Sequence, residues 1–330
     1  MSDQQPNHPD SNPEIKSEAL IQKGISDAQT ILFMVILSFV CALILSVLAS
    51  ALAVPKEIAK DLDRSKQMMI AAKILNHEGN FLIRNHEGNY VPAKYLRDGI
   101  LVPSPELNFA TRSELLDVYK LRLKPMLVDD KGNLTSFAQA GIDEEEYLTN
   151  YKKTGYYRQP LKLLYKITEN PSQEAKKEGG TEGADGYVIP VNGYGLWDAI
   201  YGYLAIGIDG NTVIGSTWYD QKETPGLGAN IADAPWQNLF PGKVIFQPGS
   251  DGTTDFKTAP LGINVVKGKV SEVLGESAKS KSAVDGMAGA TLTGNGVTDA
   301  YKDVLAAYRP FLIKLQETYS KTSQEAQGGL

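Results

Sequence analysis

Apolar and polar positions alternate with three different textures along the chain. From Ala28 to Pro55 no residue is charged, and the core reads ILFMVILSFVCALILSVLASALAV. A helix needs about 20 apolar residues to span a bilayer, so this stretch predicts one membrane-crossing helix. Pro55 suits the first turn of a helix. After it, KEIAKDLDRSKQMMIAAKIL spaces Ile58, Leu62, Met69 and Ala72 about one helical face apart and predicts a helix that continues the anchor. TRSELLDVYKLRL predicts a helix capped by Thr111 or Ser113, and DEEEYLTNYKK a short helix with acids in its first turn. LKLLYKI, at 161–167, predicts a strand. From residue 187 the pattern turns apolar and β-rich. YVIPV, YGYLAIGI, TVIGSTWY, KVIFQ and INVVKGKV predict strands, with DGN at 209–211 closing a hairpin. A last helix is predicted over VTDAYKDVLAAYRPFLIKL, with Val297, Tyr301, Val304, Leu305 and Tyr308 on one face and a kink or break at Pro310.

These textures predict five segments. They are a polar disordered tail (1–28), a transmembrane helix (29–55), a membrane-proximal α/β part (56–186), a second part (187–316) and a loose C-terminal tail (317–330). The charged, Gly-rich stretch 168–186 predicts a surface loop. Strands grouped together with helices gathered elsewhere give an α+β class: one N-terminal transmembrane helix, then a soluble domain with a largely antiparallel sheet and flanking helices.

A cleaved signal peptide is the rival to an anchor, and Ala51-Leu52-Ala53 has the form of a cleavage site. The apolar run is longer than a signal core, and it begins some 30 residues in. The segment before it holds Asp3, Asp10, Glu14, Glu18 and Asp27 against Lys16 and Lys23. An uncleaved anchor is therefore expected. Its orientation stays open on charge. Lys16 and Lys23 precede it, while Lys56, Lys60, Arg64, Lys66 and Lys73 follow, which would keep the large part inside. That rule is weak for long domains.

The formal net charge of −6 and the absence of a basic stripe argue against a nucleic-acid partner. The single cysteine, Cys41, lies in the anchor, where it acts as a small apolar residue. It excludes an intrachain disulfide and a Cys-ligated iron–sulfur cluster carried by this chain.

NHEGN occurs at 76–80 and again at 85–89. His77, Glu78, His86 and Glu87 are acceptable metal ligands. Turn chemistry at each end of a short strand is the better account, since no i, i+4 ligand spacing supports a metal. The chain has no G-x-S-x-G, H-E-x-x-H or Walker A motif, and its three histidines do not suit a Ser-His-Asp triad.

Three stretches remain. In DGMAGATLTGNG (285–296), Thr291 and Thr293 sit among Gly286, Ala288, Gly289, Ala290, Gly294 and Gly296. Such small neighbours let something large approach the backbone, and a helix start here would offer N–H groups to an anion. ETPGLGAN (223–230) makes a tight turn with Glu223 at its edge. In GYGLWDAIYGYLAI, Trp197 offers a flat apolar face after a Gly-rich turn. Lys267, in VVKG, adds a cation. Each has a plain structural account: a turn, a core tryptophan, a solvated lysine. Together they suggest a phosphate near a helix start, a planar ring against Trp197 and Leu227, and one positive side chain.

Asp285-x-x-x-Gly289-Ala290-Thr291-x-Thr293 resembles the acceptor motif of a flavin transferase, which joins the phosphate of FMN to the threonine hydroxyl. With GLW, YGYLAIG, ETPGLG, VVKG and GATLT in this order behind one anchor, the chain resembles the C-subunit family of the bacterial sodium-translocating NADH:quinone reductases. The G subunits of Rnf complexes are close relatives. The resemblance covers the anchor and most of 187–310. One departure is Ala288, where the family usually carries serine; Thr291 still holds the acceptor position.

The resemblance implies that 187–316 binds FMN, carried covalently by Thr291 beside Gly289 and Ala290. Glu223, Thr224, Gly226 and Leu227 would line the flavin, with Trp197 and Lys267 near it. It implies an electron carrier that relays single electrons from an iron–sulfur centre in neighbouring subunits to another covalent FMN. The complex would oxidise NADH, reduce quinone and export sodium. The partners implied are those subunits, the flavin transferase and the membrane. The location implied is the bacterial inner membrane, with the soluble domain in the periplasm. The alternatives are an Rnf-type subunit and a membrane-anchored binding or scaffold protein without flavin.

Overall fold

The structure, a computed structural model, describes residues 27–85, 87–170 and 183–328. Residues 1–26 of the tail expected over 1–28, the centre of the loop expected over 168–186, and His86 lie outside the described residues; Asp27 and Ala28 are helical.

Among the described residues, one helix is long and apolar enough to cross a membrane. It runs from Asp27 to Ala71, 45 residues, with a mean hydropathy of 3.1 over its most apolar window. At 1.5 Å per residue it is about 68 Å long, about twice the hydrocarbon thickness of ~30 Å. Its large apolar side chains from Ile31 to Val54 are exposed, as a lipid-facing surface requires. Pro55 sits inside this helix, not at the start of a second one. Its fixed φ is compatible with a helix, and the helix runs on through it.

The chain divides into two units, one ending at Ile58 and one beginning at Ala59. In the second unit, β4 (Leu123–Val128), β5 (Leu134–Thr135), β6 (Lys162–Thr168), β7 (Ala184–Tyr194), β8 (Ala199–Gly207) and β9 (Val213–Asp220) form one antiparallel sheet in the order β5-β4-β6-β7-β8-β9. A smaller antiparallel meander holds β1 (Leu82–Arg84), β2 (Tyr90–Arg97) and β3 (Ile100–Pro103). The α+β class with a largely antiparallel sheet is what the sequence predicts.

Strand alternation explains how the large sheet is buried on both faces. Tyr187, Ile189 and Val191 of β7 and Leu204 and Ile206 of β8 join one core with Val297, Tyr301, Val304, Leu305 and Tyr308 of the C-terminal helix. Val188, Tyr203 and Ala205 point the other way. They join Met68 and Met69 from the end of the first helix and Leu115 and Val118 from the helix Arg112–Arg122. That second helix starts with a capping box between Thr111 and Glu114.

Several expected boundaries move. The division at 186/187 falls inside β7, whose ladder to β6 runs from Val188↔Tyr165 to Ala184↔Thr168, so the two expected parts share one sheet. KVIFQ forms only isolated bridges, Thr212↔Val244 and Phe246↔Leu261. INVVKGKV contributes a two-residue strand, β10 (Asn264–Val265), paired with β11 (Ala283–Val284), and then a helical turn at Val270–Val273. The C-terminal helix runs from Thr291 to Gly328 with Pro310 inside it. Residues 317–328, expected as a loose tail, are helical, and no Gly or Pro interrupts them before Gly328. In their described residues, both NHEGN repeats form turns. The side chains of Asn76 and Asn85 each accept from the backbone two and four residues on, and Gly79 and Gly88 take positive φ.

Candidate functional site

The acceptor-like motif is built into the start of the C-terminal helix. Thr291 is its first residue, six positions earlier than the apolar periodicity predicts. The two glycines that look like breakers, Gly294 and Gly296, are inside it. A Cβ on Gly296 would lie 2.0 Å from the Tyr194 carbonyl oxygen, and one on Gly294 3.0 Å from Val265 Cγ1. A Cβ on Gly286 would lie 2.0 Å from the Val266 carbonyl oxygen. These three residues are small because the chain itself approaches them, so the approach of a large ligand is not what explains them. Gly289 differs: its φ is +72°, a left-handed conformation that turns the backbone into the helix. Asp285, which opens the motif, is a tether. Its Oδ1 accepts from Val270 N (2.7 Å) and its carbonyl from Trp236 Nε1 (3.0 Å).

The two threonines are disposed oppositely. Thr291 is exposed, whereas Thr293 is 2% exposed. The Thr293 hydroxyl donates to Glu223 Oε2. Glu223 is itself buried, at 5% exposure. Its Oε1 accepts from Trp197 N (3.0 Å) and its Oε2 from Leu196 N (3.1 Å). Burial pushes this carboxyl up. The hydrogen bonds from Thr293 and from the backbone of Trp197, Leu196 and Asp198 outweigh burial and hold the carboxyl below its ordinary range.

Above this buried knot lies an open cleft of about 190 Å³. Its walls are Leu196, then Glu223, Thr224, Leu227 and Gly228 from the turn, and the helix start Gly289–Thr293. Gly226 adopts φ +76°, and Leu227 N donates to the Thr224 carbonyl at 3.1 Å, which closes the ETPG turn. Trp197 stands on the rim, 68% exposed, with its indole N–H on Thr224 Oγ1 at 3.1 Å. Leu196, Leu227 and Leu292 are exposed apolar neighbours.

Of the residues singled out in the sequence, the structure thus brings together Glu223, Thr224, Leu227, Gly289, Ala290 and Thr291 as walls, Gly226 within the turn and Trp197 beside it. Glu223 commits its carboxylate oxygens to the protein beneath the cleft. Lys267 is exposed on the loop between Val266 and Gly268 and is not among the cleft walls; that loop meets the motif at Gly286 N–Gly268 O, 2.8 Å. Leu196, Gly228 and Leu292 are cleft residues not singled out in the sequence, although they lie in the GLW, ETPGLG and GATLT stretches.

Residues 195–306 match the FMN-binding domain family. Over 306 residues the chain is 40% identical to the C subunit of the Na(+)-translocating NADH-quinone reductase of Chlamydia caviae, covering 91% of this chain and 94% of that one. The chain belongs to the C-subunit family of the Na(+)-translocating NADH-quinone reductases. The corresponding C subunit of Chlamydia muridarum is 40% identical over 293 residues, 86% of this chain and 90% of that one. A crystal structure of the C subunit from Parabacteroides distasonis is 23% identical, with a TM-score of 0.45, covering 77% of this chain and 92% of that one. The family match at 195–306 takes in the cleft: Trp197, the ETPGLG turn and the acceptor-like helix start all fall within it.

Proposed function

We propose that this chain is the covalent flavin carrier of a sodium-pumping NADH:quinone oxidoreductase, with FMN joined through its phosphate to Thr291. The observation that carries this reading is the opposite disposition of the two threonines. Only Thr291 offers a hydroxyl to an external enzyme; Thr293 is buried and engaged. Attachment would form a Thr291 O–P bond while the phosphoanhydride P–O bond of a flavin dinucleotide donor breaks; the nucleoside monophosphate leaves, and the threonine proton is released. A flavin transferase is the partner that performs it.

The residues present fit such a group. The first N–H groups of a helix have no intrahelical acceptor and favour an anion, which suits a phosphoester at Thr291. Trp197 and Leu227 supply exposed apolar surface for a planar ring. At about 190 Å³ the cleft is smaller than the 300–1,000 Å³ typical of enclosing small-molecule pockets. A covalent tether retains what so shallow a site could not, and the ring stays accessible for electron exchange. Bound there, FMN supplies one-electron redox chemistry, and the protein holds and orients it. The chain would relay single electrons from an iron–sulfur centre in neighbouring subunits to another covalent FMN. The apolar helix Asp27–Ala71 anchors it in the inner membrane, with the domain beyond in the periplasm.

The test is a denaturing gel viewed under ultraviolet light, followed by mass spectrometry of the band. Flavin fluorescence should survive denaturation in the wild type and in Thr293→Ala, and disappear in Thr291→Ala. Flavin mass retained on Thr291→Ala and lost from Thr293→Ala would place the acceptor at Thr293 instead. A wild-type band without flavin mass would leave only an anchored binding protein.

A further inference from the structure

The carboxylate of Glu223 is unusually placed. It is buried, and among the described residues no Lys or Arg pairs with it. Three hydrogen bonds converge on its two oxygens, from the backbone N–H groups of Leu196 and Trp197 and the hydroxyl of Thr293, and the Asp198 backbone N–H lies close enough to add to their field. Acceptor and donors come from three separate segments of the chain. Two glycines make room for the carboxylate. A Cβ on Gly195 would lie 2.4 Å from Glu223 Oε1. One on Gly228 would lie 2.8 Å from Oε2 and 2.4 Å from Thr293 Oγ1. Neither glycine takes a left-handed φ, so close approach to this knot is what excludes a side chain there. A carboxylate accepts at both oxygens, whereas an amide presents one acceptor and one donor group. Only the ionised acid satisfies all three donors, and a buried charge left part-satisfied is costly.

We infer that Glu223 is the positioning residue of the site. It pins the first turn of the acceptor helix to the Leu196–Trp197 turn. It thereby fixes Trp197, on the rim, and the Leu196 wall relative to Thr291 and keeps the Thr293 hydroxyl turned inward. The flavin then meets a preformed wall at a set distance from its tether, and Thr291 is the one threonine presented. This inference rests on the reading that FMN is carried by Thr291. The part that concerns Trp197 and Thr293 stands on this chain's own geometry and can be read without flavin.

The experiment uses the full-length chain, coexpressed with its flavin transferase and purified in detergent. It compares Glu223→Gln and Thr293→Val, each with the flavin present and in a flavin-free Thr291→Ala background. With flavin, both variants should keep flavin mass on Thr291 but lose fluorescence anisotropy, because the ring no longer rests on a fixed wall. Without flavin, both should show tryptophan emission shifted to the red and quenched more readily by acrylamide. That signal reports Trp197, since Trp218 and Trp236 are buried. Glu223→Asp, which keeps the charge but shortens the reach, should fall between wild type and Glu223→Gln. If Glu223→Gln does not fold, Thr293→Val carries the same test, since it removes one donor and leaves the carboxylate with its two backbone donors. Unchanged anisotropy and unchanged Trp197 quenching in folded variants would overturn the inference. A wild-type chain without flavin mass would sink the functional reading alone, and the Trp197 arm would still decide the role of Glu223.

Discussion

At the scale of single residues, electrostatics follow burial. Glu223 carries its charge in the interior, and its hydrogen bonds hold the carboxyl below the ordinary value of 4.5. A group depressed in the folded state contributes stability that is present above its unfolded value and lost as pH falls through its folded value. Wild type should therefore lose its advantage over Glu223→Gln only as pH drops below about 4.5. Thermal melts of the two proteins between about pH 7 and pH 3 test this; a gap constant across the range would mean that the carboxylate is not ionised in the fold. Lys267 is the contrasting case. It is exposed and not among the cleft walls, so solvent and salt screen its field. Lys267→Met should leave the flavin attached and lower its midpoint potential by no more than roughly a few tens of millivolts, on the scale where 59 mV is tenfold for one electron. The shift should shrink as salt is added. A redox titration at low and high ionic strength reads both; a large, salt-independent drop would place the ammonium against the ring.

At the scale of elements, legibility depended on whether periodicity or tertiary contact decides the structure. Strands β6 to β9 were readable as short apolar, β-rich runs bounded by turn residues, which is how strands buried on both faces read, and the body of the C-terminal helix by the 3.6-residue period of its one buried stripe. Strand β4 was missed. LKPMLV follows directly on a helix and contains Pro125, which argues against a strand. The structure tolerates it because β4 pairs at Pro125 with β6 alone, β5 covering only Leu127 and Val128. Pro190 in β7 lies likewise beyond the reach of β6. The residues of the site were legible as motifs, but their division of labour was not. Nothing local says that Thr293 turns inward, because its partner Glu223 is 70 positions away. Nor does the sequence say that Gly296 is small for the sake of Tyr194. That contact yields a prediction. Gly296→Ala forces a Cβ to 2.0 Å from a backbone oxygen and should destabilise the domain by about 1–3 kcal/mol. Gly294→Ala meets only a side-chain methyl at 3.0 Å and gains up to about 1 kcal/mol of helix propensity, so it should be near neutral. Chemical denaturation ranks the two; equal effects would refute the close approach.

At the scale of the whole molecule, the helix Asp27–Ala71 joins two environments. Its exposed apolar stretch from Ile31 to Val54 suits lipid, and its buried end from Met68 to Ala71 belongs to the second core. Which side of the membrane receives that core is a separate question. The lysines and arginines flanking the anchor, two before it and five after, favour the inside. Yet the segment after the anchor leads into a domain of well over 200 residues, and long domains cross largely regardless of charge. The function proposed above implies the periplasm, where the resemblance would put the soluble domain. Protease added to intact spheroplasts should then degrade the chain from about Ala59 onwards while cytoplasmic marker proteins survive. A fragment of the anchor and the residues before it should stay with the membrane, protected by lipid and by the inner face. The flavin gives a second reading of the same digest, because Thr291 lies in the exposed part: fluorescence should leave the membrane fraction with the released peptides. Full protection of the domain until the spheroplasts are lysed would place it in the cytoplasm and show that the flanking charges set its orientation.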